Sequence, residues 1–196
     1  MNRIFMGIPF SVYKVKFAVM KMFLKITALL LFSLIFSTVT VAGGVYQEPA
    51  DFINEVFDNN PPKADVLWLN TELKKQIVEI LDHKYKGLRV RYWSQEKMSA
   101  WILDEIGKEK LITAGFVINN GQIEQVKVLV FRESRGWEVR HDFFTDQFKQ
   151  AKLKDNHQLD KHIDNISGAT LSVRAVRKLA QIALLLDQHV QHEVVE

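Results

Sequence analysis

Residues 111–131 read LITAGFVINNGQIEQVKVLVF and carry the clearest secondary-structure signal in the chain. Asn119, Asn120 and Gly121 separate two apolar segments, and an Asn-Gly pair favours the left-handed backbone of a tight hairpin turn. The second segment, 123–131, alternates at first and then becomes wholly apolar, as a strand does when a helix covers its outer face. This hairpin therefore predicts the centre of an antiparallel sheet.

Downstream of the hairpin, residues 132–140 read RESRGWEVR, a charged segment with one aromatic residue and one glycine. An isolated run of charges is most often a solvated connection. His141 to Gln150 then predicts a short helix with Phe143, Phe144 and Phe148 directed inward, and three phenylalanines at this spacing are typical of a core.

Residues 164–170 read DNISGAT and precede a long amphipathic segment. A small turn that leads into a helix places unpaired backbone N–H groups, the positive end of the helix and a hydroxyl side by side, which suits a phosphate. A turn without any ligand explains most of the same residues, because Gly supplies a positive φ and Ser or Thr caps a helix. Residues 161–164 are either a last strand or an extended approach to this turn.

The final helix is predicted from Ser172 to about His189. Its apolar positions repeat at helical spacing, and its basic positions lie on the opposite side. The residues expected to face the sheet are Val173, Val176, Leu179, Ala180, Ala183, Leu184 and Leu186.

Upstream of the hairpin, residues 71–83 predict a helix capped by Asn70 or Thr71. Residues 88–93 alternate apolar with basic side chains, which predicts a half-buried strand, and residues 101–106 predict another. The expected fold is α+β: a small antiparallel sheet with packed helices and a C-terminal helix after the 164–170 turn.

The spelling Asp-x-x-Ser-Gly-Ala-Thr resembles the flavinylation motif of the FMN-binding domain family, from roughly residue 85 to 190. That family includes the flavin subunits of sodium-pumping NADH:quinone reductase and Rnf-type complexes. The resemblance implies FMN joined through a phosphoester to Thr170, with Asp164, Ser167, Gly168 and Ala169 completing the motif. It also implies maturation by an FAD:protein FMN transferase.

The same family has an Arg/Glu-containing segment around a glycine after its central hairpin, and this segment contacts the flavin. Residues 132–140 occupy the corresponding place, although the Glu-Thr-Pro-Gly form of the redox-pump subunits is absent. The flavin contacts that the resemblance implies here are Arg132, Glu133, Arg135, Gly136, Trp137 and Arg140.

The N-terminal part of the chain predicts export. Residues 26–42 read ITALLLFSLIFSTVTVA without any charge, after Lys21 and Lys25, which is typical of a secretory signal peptide over 1–42. The alternative is an uncleaved membrane anchor, because the run is near the lower limit of a membrane span. Translation from Met20 or Met22 would give a more usual signal length. Residues 43–84 are predicted as an N-terminal helical segment and 85–196 as the FMN-binding domain.

Composition narrows the function classes. All five basic residues before Glu48 precede the apolar run, so cleavage after it would change the net charge from +3 to −2. The positive net charge of the whole chain therefore does not indicate nucleic-acid binding. The chain contains no cysteine, which excludes disulfides and thiolate metal sites. Its histidines follow no metal-ligand spacing, and no hydrolase triad or nucleotide-binding loop is present.

These observations predict a periplasmic or membrane-associated flavoprotein that carries electrons between membrane or periplasmic redox partners. A redox-complex subunit of this kind is expected rather than a stand-alone enzyme. The alternative is an exported, non-redox module that binds a phosphate-bearing ligand or a protein partner.

Overall fold

A computed structural model of the protein describes residues 44–193 and confirms the α+β class. The strands are β1 (Gly44–Val45), β2 (Asp65–Trp68), β3 (Arg89–Gln95), β4 (Met98–Ile106), β5 (Leu111–Asn119) and β6 (Gln122–Phe131). The helices are α1 (Pro49–Val56), α2 (Thr71–Leu81), α3 (Asp142–Thr145) and α4 (Thr170–Glu193), with 3-10 turns at Trp137–Arg140 and Asp146–Phe148.

The six strands form one antiparallel sheet in the order β1-β6-β5-β4-β3-β2. The predicted hairpin is confirmed, since Asn119 pairs with Gln122 across the turn. Asn120 and Gly121 adopt φ values of 51° and 71°, which is the left-handed backbone that a two-residue hairpin turn requires. Because β4 and β5 lie in the middle of the sheet, this hairpin provides part of its centre.

Helix α4 covers the inner face of the sheet, together with α2. Trp101 of β4 and Phe116 of β5 are fully buried, and they belong to the same cluster as Val176 and Leu179 of α4. The apolar positions predicted for the last helix are all buried. Burying side chains of this size contributes roughly 1.5–3 kcal/mol each, so this layer dominates the stability of the domain.

Helix α1 covers part of the outer face. Its Phe52 is fully buried in a second apolar cluster with Ala100, Val117 and Leu129. A Cβ atom on Gly115 would stand 2.5 Å from the Phe52 ring, so only glycine allows the helix to approach the sheet this closely. The wholly apolar end of β6 is thus explained by helices on both faces.

A polar network crosses the inner core between the sheet and α4. The Trp101 Nε1 donates to Ser99 Oγ at 2.7 Å, and the Ser99 hydroxyl donates to the Asp187 carboxyl at 2.6 Å. Burial raises the pKa of Asp187 above its usual value, because the charged form is poorly solvated there.

Two local predictions need correction. The expected helix over 141–150 is a single turn, α3, followed by a 3-10 turn, and this change of winding leaves Phe143 61% exposed while Phe144 and Phe148 are buried. The last helix begins at Thr170 rather than Ser172, because Ala169 O already accepts from Val173 N at 2.9 Å. For residues 161–164, where the sequence left a last strand or an extended approach open, the structure shows the extended approach without strand pairing.

Residues 44–84 contribute β1 and β2 to the sheet in addition to the helix that the sequence predicts. The predicted helix over 71–83 is confirmed as α2, with the Asn70 side chain accepting from Leu73 N at 2.8 Å as its cap. The predicted export signal lies outside the described residues. Within 44–193, no helix combines the length and apolarity needed to cross a membrane.

Candidate functional site

Thr170 is the first residue of α4, and its side chain is exposed. The turn before it is closed by Ala169 N, which donates to Ile166 O at 2.9 Å, and Gly168 supplies a φ of +83°. A Cβ atom on Gly168 would meet nothing within 4 Å, so the outer side of the turn is open. The first backbone N–H groups of a helix have no acceptor within the helix, and they carry its positive end. The turn therefore presents a hydroxyl and an anion-favouring helix terminus to the surface.

Asn165 orients the Thr170 hydroxyl. Its Nδ2 lies 3.3 Å from Thr170 Oγ1, and its Oδ1 accepts from Ile166 N at 3.1 Å. Asp164 is fixed by its backbone, because Asp164 N donates to Gln147 Oε1 at 2.6 Å. The Asp164 carboxylate and Ser167 are exposed. Asn165 and Gln147 were not predicted from the sequence, because the motif does not specify them.

The charged segment after the hairpin packs directly against this turn. Gly136, with a φ of +85°, is buried at the contact. A Cβ atom there would overlap Ser172 Oγ and stand 3.2 Å from Ser172 Cβ and 3.4 Å from Ala169 Cα. The structure thus brings together the two segments that the sequence singled out separately, and Ser172 is buried in that contact rather than acting as a cap.

Next to this contact, Arg140 is held between two aromatic rings. Its guanidinium carbon lies 4.4 Å from the centroid of the Tyr46 ring and 4.9 Å from that of Trp137. The Trp137 ring meets His141 edge-on at 5.4 Å, and 40% of Trp137 remains exposed. Cation–π contacts of this kind contribute about 0.5–1 kcal/mol at exposed sites and orient the guanidinium. Tyr46 was not predicted, because it lies far from this segment in the chain.

Arg132 hydrogen-bonds to strand β5, and Glu133 hydrogen-bonds to the connection between β4 and β5. Arg132 Nη1 donates to Thr113 Oγ1 at 2.9 Å and to Leu111 O at 3.3 Å. Arg135 is exposed and has no hydrogen-bond or ion-pair partner among the described residues. A flavin contact by these residues stays a prediction.

The Glu133 carboxylate holds the connection between β4 and β5. Its Oε1 accepts from the backbone N–H groups of residues 108, 109 and 110 at 2.5, 2.6 and 2.8 Å. Burial disfavours the charged form, but these three donors outweigh burial and hold the pKa of Glu133 below its usual value. Glu133 is therefore an ionised structural anchor for this connection.

The described residues contain no group of three His, Cys, Asp or Glu side chains able to hold a metal ion. The side chain that hydrogen-bonds to the Thr170 hydroxyl is the amide of Asn165, which is not a base. The arrangement thus suits binding of an anionic group at a hydroxyl, with a cation held nearby by aromatic rings.

The model of one protein family, described as the FMN-binding domain, matches residues 107–185. The match begins just before β5, includes the hairpin, the charged segment and the turn, and ends within α4. No curated protein matches the chain.

Proposed function

Because residues 107–185 are an FMN-binding domain and FMN is its cofactor, we propose that this protein is an exported electron carrier whose FMN is covalently attached to Thr170. The observation that carries the proposal is the exposed Thr170 hydroxyl at the first position of α4, on a turn with open space around Gly168. Phosphate binds readily at such a helix terminus.

The residues around Thr170 fit a phosphate ester. The exposed hydroxyl needs no rearrangement to react, and the backbone N–H groups of the first helical turn are positioned to receive phosphate oxygens. Asn165 holds Oγ1 by a single 3.3 Å hydrogen bond, which fixes the rotamer of the threonine. No described residue lies within 4 Å of a Cβ atom placed on Gly168, which leaves room for a substituent on that side.

Attachment requires a separate enzyme. Thr170 Oγ1 would bond to the FMN phosphorus of FAD, the bond between the two phosphates would break, and AMP would leave. The hydroxyl proton must go to a base, and the amide of Asn165 cannot accept it. An FAD:protein FMN transferase therefore supplies the base, and the protein supplies a correctly held hydroxyl.

The segment 132–140 provides the electrostatics for a flavin ring. FMN when bound supplies reversible redox chemistry, and the protein sets its position and potential. Arg140, oriented by Tyr46 and Trp137, is a cation in the segment whose Gly136 packs against Ser172 beside the turn. A cation there stabilises added negative charge. The exposed part of Trp137 gives a ring an apolar surface to lie against.

Export fits the covalent attachment. A tethered cofactor is retained outside the cytoplasm, where a released one would diffuse away. The uncharged run 26–42 after Lys21 and Lys25 supports a periplasmic location or the periplasmic face of the inner membrane. Electron donors and acceptors would then be membrane or periplasmic redox proteins.

The test is production of the protein together with a flavin transferase, followed by denaturing electrophoresis. Yellow-green flavin fluorescence should remain with the wild-type band, because an ester persists when other contacts are lost. Thr170→Ala should lose it. Thr71→Ala is the matched control, since Thr71 is an exposed threonine at the first position of α2. Fluorescence that Thr170→Ala retains would reject the attachment, and a colourless wild type would favour a non-redox binding module.

A further inference from the structure

Among the helices of residues 44–193, none covers one part of the outer face of the sheet. Helix α1 covers the β4–β6 side, where Phe52 packs on Ala100 and Val117. Strands β2 and β3 lie beyond it, and on this side Trp68 is 64% exposed. A contiguous exposed apolar surface, unlike a single exposed side chain, is typical of a ligand or partner site.

This uncovered face forms a groove of about 560 Å³. Its lining combines strand residues with the first turn of α1, which forms one wall: Pro49, Ala50, Val66, Arg89, Arg91, Trp93 and Ile102. Such a volume is in the range of small-molecule sites. Val66 pairs with Arg91 and Trp68 with Arg89 across β2 and β3, so apolar and cationic side chains alternate on one surface.

The lining contains two guanidinium groups and no carboxylate among the described residues. Neither Arg89 nor Arg91 has an ion-pair partner there, and Arg89 instead lies 5.5 Å from the centroid of the Trp68 ring. Some basic residues elsewhere on the surface are paired, as Lys127 is with Glu55 at 2.9 Å. Two unpaired arginines beside an apolar floor leave a positive potential that an anion would neutralise.

We propose that this groove binds a small apolar molecule bearing one carboxylate, whose apolar part lies on Val66, Trp93 and Ile102 and whose charge meets Arg89 and Arg91. The wall formed by Pro49 and Ala50 makes the surface concave, which suits a small molecule better than a flat bilayer. The groove lies on the opposite face of the sheet from α4, so this site is independent of FMN.

The experiment uses the full chain in phosphatidylcholine nanodiscs and a photoreactive diazirine derivative of dodecanoate. Saturable labelling should map by mass spectrometry to the groove residues between 49 and 102. The Arg89→Gln/Arg91→Gln double variant should need about tenfold or more ligand for equal labelling, the loss expected for one charge-assisted contact. The control is Arg174→Gln/Arg177→Gln, which removes two exposed arginines of α4 and should label as wild type.

Three outcomes would overturn the proposal: equal labelling by the matching dodecanol derivative, labels confined to residues 1–43, or undiminished labelling of the Arg89/Arg91 double variant. Arginine-dependent binding to phosphatidylglycerol vesicles without saturable dodecanoate binding would identify a membrane surface and would also overturn it. Thr170→Ala should be labelled to the same extent as wild type, so the labelling result does not depend on whether FMN is attached at Thr170.

Discussion

Gly136 and Ser172 are in close contact where the segment after the hairpin meets the first turn of α4. Only glycine fits at position 136, because a Cβ atom there would overlap Ser172. The contact joins the turn that presents Thr170 to the segment that carries Trp137 and Arg140. The φ of +85° at Gly136 adds a second requirement for glycine.

Gly136→Ala should therefore lower the free energy of unfolding by about 1–3 kcal/mol, through backbone strain and overlap with Ser172. Urea unfolding measures this change. The matched control is Gly121→Ala, where φ is +71° but a Cβ atom meets nothing within 4 Å, so that variant reports strain alone. Equal losses of unfolding free energy in the two variants would show that overlap with Ser172 contributes nothing to the effect of Gly136→Ala.

Arg140→Gln should lower the reduction potential of bound FMN by tens of millivolts, because the reduced, anionic form loses more stabilisation than the oxidised form and hydrogen bonds to charged groups contribute roughly 1.5–3 kcal/mol. Spectroelectrochemical titration of the flavinylated protein gives the value. Arg132→Gln should change the potential less, since Arg132 is bound to Thr113 and Leu111.

Arg91→Gln is the control for the potential, because Arg91 lies on the outer face of the sheet. Unchanged potentials in the Arg132, Arg135 and Arg140 variants would mean that the segment 132–140 is a solvated connection, as an isolated charge run usually is.

Asn165→Ala should slow flavin attachment by about two- to tenfold, which is the loss expected for one neutral hydrogen bond worth about 0.5–1.5 kcal/mol. The readout is the initial rate of fluorescence gain with purified transferase and FAD. Asn156→Ala removes a comparable local side-chain bond, to Gln158 N, in a different loop and should not alter the rate. A rate for Asn165→Ala equal to that of wild type would remove Asn165 from the site.

Glu133→Gln should destabilise the protein by about 1–3 kcal/mol at pH 7, because a neutral amide replaces a carboxylate that accepts three backbone N–H bonds. The folded pKa of Glu133 is lowered, so its contribution is fully present above the usual value of 4.5 and is lost as the pH falls through the folded pKa. The two proteins should thus converge in stability below pH 4.5.

Glu109→Gln is the surface comparison, since Glu109 pairs with Lys108 in solvent, and it should change stability by no more than about 0.5 kcal/mol. A Glu133→Gln difference that is independent of pH would contradict the assignment of an ionised carboxylate.

The parts of the fold that sequence predicted well depend on local chemistry. Asn120 and Gly121 specify a turn by backbone preference alone, and the apolar spacing of α4 specifies which face is buried. The prediction that Phe143 is directed inward was wrong. Helical spacing assumes a continuous helix, but the chain changes to a 3-10 turn after Thr145.

The candidate site was predictable only in part. Thr170 follows from a motif, whereas the Arg140 contact with Tyr46 joins positions that are distant in the chain and leave no periodic signal. Similarly, Glu133 reads as one member of a charge run, and its role as an acceptor for three backbone groups depends on how the β4–β5 connection folds back.

The most direct test of the central claim is peptide mass mapping of protein made with a flavin transferase. We expect an FMN phosphoester on the peptide that contains Thr170, with fragment ions that place it on that residue and an unmodified peptide from Thr170→Ala. An adduct on any other residue, or no adduct on protein that binds FMN, would contradict it.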